Sequence, residues 1–167
     1  MPHANSPDLD QLINDRAIRL EITGGIPTWE VSPSSRHQRM VFRIQTSIKP
    51  LAQSDKECEC AHLSDVYIRF PDGSLKRPDI AIFCAEPPDQ DDALTVIPHA
   101  VIEIISPGYE YKDIELNPYF YLAQGVQDVV TVDPRTGIVT HYRTSEVRTL
   151  RAPITVQLLC GCQCDVP

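Results

Sequence analysis

Val101, Ile102, Ile104 and Ile105 form an apolar run broken only by Glu103. Such a run reads as a buried strand, and a buried strand needs a sheet around it. An ionised carboxylate inside a dry strand is costly unless it is paired, protonated or bound to a metal. The chain must therefore fold so that something answers Glu103.

A second acid stands beside a second apolar run, in Arg77-Pro78-Asp79-Ile80-Ala81-Ile82-Phe83. Proline fits the first residue or the edge of a strand, where no ladder donor is needed. Asp79 is thus expected near a strand end, next to Lys76 and Arg77. If the two strands pair, both carboxylates can face one spot. Two acids without a sequence-local base suit a hard cation, Mg2+ or Mn2+. Such an ion stabilises charge on a phosphoryl oxygen and supplies a nucleophilic water. The plainer alternative stays open on spacing alone: a turn aspartate after proline, and a glutamate paired with Arg69 or Arg77.

The rest of the chain supplies the sheet and its covering layers. Ser6-Pro7-Asp8 has the pattern of a helix start, predicting a short helix to about Asp15. Residues 19–23 and 27–31 read as strands joined at Gly24-Gly25 in a hairpin. Residues 32–54 carry the strongest helical pattern: His37, Val41, Ile44, Ile48 and Leu51 step by four and three along one stripe. Pro50 is expected to kink or end that helix. Residues 63–70 predict a strand, 71–74 a turn and 75–84 a returning strand. Residues 85–97 predict an acidic loop and 106–116 a second loop. Asn117-Pro118 starts a short helix that stops before Gly125. Strands follow at 127–133, 138–143 and about 153–160. The order implies an α/β or α+β domain over residues 1–167, its mixed central sheet flanked by the long and the short helix.

The net charge of −8 and a pI near 5.0 exclude a generic electrostatic nucleic-acid binder, though not an enzyme with a local basic patch. No run is long and apolar enough to span a membrane. The first residues lack the zones of a signal peptide, so a cytoplasmic location is expected. Six cysteines are present. Cys58-x-Cys60 and Cys160-x-Cys162-x-Cys164 alternate like strand residues. One-residue spacing is poor for joint chelation, so reduced thiols on strands are expected ahead of a structural zinc.

The ordered set RPDIAIF, VIEIISPG and YLAQGVQDVVTVDP, preceded by EITGGIPTWEVSPSSRHQ, resembles the Uma-type restriction endonucleases. These belong to the PD-(D/E)XK nuclease-like superfamily. The resemblance covers about residues 15–145. It implies a restriction-endonuclease-like core and a Mg2+-dependent (or Mn2+-dependent) phosphodiesterase site. Asp79 and Glu103 match the two metal-binding acids, with the Ile104 carbonyl as a further ligand. Glu21 matches an acid of the N-terminal region that approaches the site. His37 matches the histidine at the start of the long helix, where it also continues the apolar stripe as a core residue would.

The sequence departs from the family pattern at one role. The lysine of the basic motif follows the second acid by two residues, where Ile105 stands. In the related branch it comes from the following helix, where Asn117 stands. Lys112 is the nearest lysine, and a lysine would orient the attacking water and neutralise developing charge. Two functions follow. One is a metal-dependent DNA endonuclease, with Lys112 or Asn117 at the water, Lys76 and Arg77 toward the phosphate backbone, a homodimer, and no organic cofactor. The other is a catalytically inactive binding or assembly module on the same fold. A Cys-rich metal-binding module is a third reading, with the C-x-C pairs as its only support.

Overall fold

The computed structural model describes residues 18–108, 110 and 112–167, with backbone alone at 18, 30 and 31. The helix predicted over residues 6–15 lies outside them. The fold is α+β: a mostly antiparallel set of strands with few helices.

The chain opens with the expected hairpin, β1 (Ile18–Thr23) and β2 (Ile26–Val31), in register from Ile18↔Val31 to Thr23↔Ile26. Its two-residue turn has φ of +55° at Gly24 and +83° at Gly25, the pairing that suits a twisted hairpin and that glycine adopts without strain. Helix α1 spans Ser35–Gln45, with Ser34 as its N-cap. His37, Val41 and Ile44 are its buried stripe. The helix is shorter than predicted. Thr46 Oγ1 donates to the Phe42 and Arg43 carbonyls and Ser47 Oγ to Ile44 O, so local hydroxyls satisfy the terminal carbonyls and stop it. Lys49–Pro50 form the short strand β3, so Ile48 and Leu51 lie beyond the helix.

Two predicted strands are each divided. Residues 63–70 split into β4 (Ala61–Ser64) and β5 (Ile68–Arg69), broken near Asp65 with its φ of +60°. Residues 75–84 split into β6 (Leu75–Lys76) and β7 (Ile80–Phe83), broken across Pro78. The result is a bent hairpin turning at residues 71–74. Its near half, β5 and β6, joins β1 and β2 in a four-stranded sheet. Its far half, β4 and β7, joins a six-stranded sheet ordered β11-β10-β9-β8-β7-β4. Here β8 is Ala100–Ile104, β9 Asp128–Val132, β10 Ile138–Arg143 and β11 Glu146–Arg151. Only β8 and β9 run parallel in this sheet, which makes it mixed, as expected. The predicted final strand is two, β12 (Ile154–Gln157) and β13 (Cys162–Val166), which pair with each other and with β3.

Strand alternation gives the six-stranded sheet two apolar faces. On one, Ile80, Ile82, Ile102 and Val130 pack with Val41 and Ile44 of α1 and with β12 and β13. On the other, Ala81, Phe83, Val101 and Val129 pack with Tyr121 and Val126. Tyr121 belongs to α2 (Asn117–Ala123), which follows directly on a π-helical turn over Lys112–Leu116. That turn occupies part of the predicted loop.

The cysteines depart from expectation. Cys58 and Cys60 precede β4, and Cys58–Cys84 and Cys60–Cys162 are disulfides. Cys160 and Cys164 remain buried thiols. No helix among the described residues is long and apolar enough to cross a membrane.

Candidate functional site

The break between the two sheets is where acids meet. Ile80 pairs with Ile102 in the antiparallel β7–β8 ladder, so Asp79, one residue before β7, reaches the level of Glu103. The Asp79 amide donates to Glu103 Oε2 at 3.2 Å, and the Ile104 amide donates to Asp79 Oδ2 at 2.8 Å. Both acids are buried, at 5% and 6% exposure. Both side chains line one small cavity.

Three other elements converge on it. From β1, Arg19 Nη1 donates to Asp79 Oδ1 at 3.1 Å, and its Nη2 to Asp65 Oδ1 and Arg77 O. From α1, His37 Nε2 lies 3.0 Å from Asp79 Oδ2. It is buried with the apolar stripe of the helix and contacts the acid at once. From α2, the Tyr121 hydroxyl donates to Glu103 Oε1 at 2.8 Å. Asp113, from the π-helical turn, lines the same small polar cavity of about 10 Å3, together with Glu21, Ser106 and Lys112.

Glu21 organises the cations. Lys76 and Lys112 donate to its Oε2 at 3.1 and 3.0 Å, and the Arg77 amide to its Oε1 at 2.9 Å. Lys76, expected at a phosphate backbone, is instead 2% exposed and also donates to Asn117 Oδ1 at 2.7 Å. A lysine Nζ therefore sits on the side chain that stands where the family pattern has its helix lysine. Arg77 turns its guanidinium outward to Asp65, with Nη2 at 2.7 Å from Oδ2.

The carboxylates differ sharply in proton affinity. Burial, then the negative charges of Asp79, Glu21 and Asp113, push Glu103 well above the usual carboxylate range. Burial also works against ionised Asp79, but His37, Arg19 and the Ile104 amide hold it below its ordinary value. Glu21 behaves likewise: Lys112 and Lys76 outweigh burial and bring it down to about 2. Burial and the adjacent Glu103 raise the Tyr121 phenol, which stays a donor. A divalent cation is the charge that would let Glu103 ionise beside Asp79. The donor set, two carboxylates with the Ile104 backbone at the cavity wall, is oxygen-only and suits a hard ion. Tight clusters of three His, Cys, Asp or Glu ligand atoms occur, among the described residues, only between cysteines.

Arg19 and Tyr121 are the contacts that sequence reasoning left without a role at the site. The signal for Arg19 is its alternation with Glu21, which puts both on one face of β1.

A family model described as "Uma2: Putative restriction endonuclease" matches residues 6–162. A crystal structure described as "a putative nuclease belonging to DUF820", from Anabaena variabilis ATCC 29413, is similar over 83% of this chain and 80% of its own. Its TM-score is 0.63 and its sequence identity 20%, a likeness of fold. No curated protein matches the chain.

Proposed function

The chain belongs to the Uma2 family of restriction-endonuclease-like proteins, and on that premise we propose that it is a Mg2+- or Mn2+-dependent endonuclease hydrolysing DNA phosphodiester bonds. The observation that carries this reading is the meeting of Asp79 and Glu103 from adjoining strands, with Lys112 brought to the same cavity through Glu21. Asp79, Glu103 and the Ile104 carbonyl are the residues that would hold the ion. A divalent ion there supplies charge neutralisation at a phosphoryl oxygen and an acidified water. Lys112 would orient an attacking water and offset charge growing on the phosphate. Glu21 positions Lys112, and His37 and Arg19 keep Asp79 ionised. Asn117 receives Lys76, which adds a buried positive charge behind Glu21. Arg77, at the rim, meets the DNA backbone. The working species is a cytoplasmic homodimer.

A plasmid-nicking assay in Mg2+ or Mn2+ tests the reading. Wild type is expected to nick, and Asp79→Ala, Glu103→Gln and Lys112→Ala to lose cleavage. Cleavage that survives Glu103→Gln would place the chemistry elsewhere. One observation favours an inactive binding module instead: Arg19 already sets a positive charge on Asp79 Oδ1. That reading is distinguished by duplex binding without nicking, together with no Mg2+ uptake by calorimetry.

A further inference from the structure

Five of the six cysteines gather at the end of β7 remote from Asp79. They arrive from three chain segments: Cys58 and Cys60 before β4, Cys84 after β7, and Cys160 and Cys162 around the turn into β13. The Cys58, Cys84 and Cys160 sulfurs lie within 4.8 Å of one another, as do those of Cys58, Cys60 and Cys162. Cys58 Sγ is common to both triads and is 3.4 Å from Cys162 Sγ across the two disulfides. In a tetrahedral thiolate site, zinc–sulfur bonds of about 2.3 Å put sulfurs about 3.8 Å apart. The Cys58–Cys162 separation of 3.4 Å already stands near that value.

We propose that, in the reduced protein, Cys58, Cys84, Cys160 and Cys162 form a tetrathiolate site for a soft divalent cation of the Zn2+ class. Cys58, Cys84 and Cys160 are one of the two triads, and Cys162 is the sulfur in contact with Cys58. Cys60 stays outside, with the Cys58 carbonyl as acceptor 3.7 Å from its sulfur. Cys164 belongs to neither triad and is held as a thiol by burial, its pKa near 12.

The Cys160-Gly161-Cys162 turn is held against the segment that carries Cys58. Gly161 has φ of +95°, and a Cβ there would stand 2.6 Å from Ser54 Oγ. The turn is thus closed against the segment before Cys58. That segment, residues 51–60, has almost no regular structure. It is tied to the turn by Leu51 N donating to Gly161 O and by Lys56 Nζ donating to Leu159 O. An ion would cross-link it to the sheet, and the Lys56 ammonium is a nearby counter-charge for the thiolates.

The two states exclude each other. A dithiol reductant gives two electrons and two protons to each disulfide, forming two thiols and becoming a disulfide itself. The bound cation then displaces the protons of four thiols. On reoxidation each pair, Cys58–Cys84 and Cys60–Cys162, gives two electrons to a peroxide, whose O–O bond breaks and takes up two protons to form two O–H groups; Cys160 regains a proton from solvent and the ion is released.

The test uses full-length protein reduced by a phosphine under argon and dialysed against Zn2+. One equivalent of zinc is expected, with a thiolate-to-metal charge-transfer band when Co2+ replaces it. Zn2+ should protect Cys58, Cys84, Cys160 and Cys162 from alkylation in the wild type, mapped by peptide mass. Cys58→Ser should lose the ion, and Asp79→Ala should keep it, which separates this site from the proposed nuclease centre. Folded, reduced wild type that takes up no zinc, or binds Co2+ without a thiolate band, would overturn the proposal. So would uptake lost in Asp79→Ala. Should Cys58→Ser fail to fold, the wild-type alkylation map decides: four unprotected cysteines end the idea.

Discussion

The backbone amide of Asp79 donates to Glu103 Oε2 at 3.2 Å, so the strand that presents one acid also holds the other. The pair titrates in opposite directions, Asp79 lowered and Glu103 raised. Glu103 keeps a proton in the folded protein at pH values where the unfolded chain, near its ordinary 4.5, has lost it. Stability therefore falls as pH rises from that value through the folded one. Glu21 does the reverse: the stability it contributes is present above 4.5 and is lost as pH falls toward about 2. Melting curves against pH should show wild-type Tm declining on the alkaline side and Glu103→Gln flattening that decline. Mg2+ should raise Tm more as pH increases. A Mg2+ effect that shrinks with pH would contradict a site built on ionised Glu103.

On the proposed function, Tyr121 is expected to act as a positioning residue. Its hydroxyl donates to Glu103 Oε1 at 2.8 Å from a fully buried ring, and it fixes which oxygen is left to face the cavity. Hydrogen-bond partners of metal ligands are worth about 10–100-fold in metal affinity. Tyr121→Phe keeps the ring's packing against Phe70 and Phe120. Its Mg2+ affinity by calorimetry should fall within that range. An unchanged affinity would reduce the hydroxyl to a means of satisfying a buried acid.

Legibility in the sequence followed locality. The buried strand, the proline that sets Asp79 at a strand entrance and the Gly24-Gly25 turn are each determined within a few residues, and each was readable. The end of α1 depended on Thr46 and Ser47 bonding back to the helix, which apolar periodicity does not register. The division of two strands at Asp65 and Pro78 was hidden because both halves remain β and only the sheet changes. Arg19 reaches Asp79 across 60 residues, and Cys60 bonds Cys162 across 102. Such pairings depend on how the sheets stack. Lys76 looked like a surface cation because its burial arises only when β6 joins β1 above α2.

The two lysines on Glu21 should separate stability from activity. Lys76 is 2% exposed and Lys112 17%, by side chain. Removing one partner of a buried pair costs about 3–5 kcal/mol, and the cost falls as the partner that is removed gains solvent. Lys76→Met should therefore lower stability by a few kcal/mol in urea denaturation. Lys112→Met should also lower stability, by less than Lys76→Met because its side chain keeps some solvent, while cutting plasmid nicking by about 10²-fold. If Lys112→Met instead unfolds the protein and nicking per folded molecule is retained, Lys112 is structural and the water-positioning role passes elsewhere.

Asp128 resembles a catalytic acid in its contacts and serves as the control for the proposed site. It is fully buried at the start of β9, with His141 Nε2 at 2.7 Å, Arg143 Nε at 2.6 Å and the Leu159 amide donating at 2.7 Å. Burial opposes its ionised form, but His141 and Arg143 outweigh that and lower its pKa. It ties β9 and β10 to the segment before the cysteine turn. Asp128→Asn breaks the charged part of this network and should cost about 3–5 kcal/mol. The loss should be greatest near neutral pH and shrink as acid protonates the wild-type carboxylate. Mg2+ affinity of the folded fraction should be unchanged, because Asp128 contributes nothing to the cavity of Asp79 and Glu103. A selective loss of Mg2+ binding, with Tm preserved, would show that the two acidic networks are coupled.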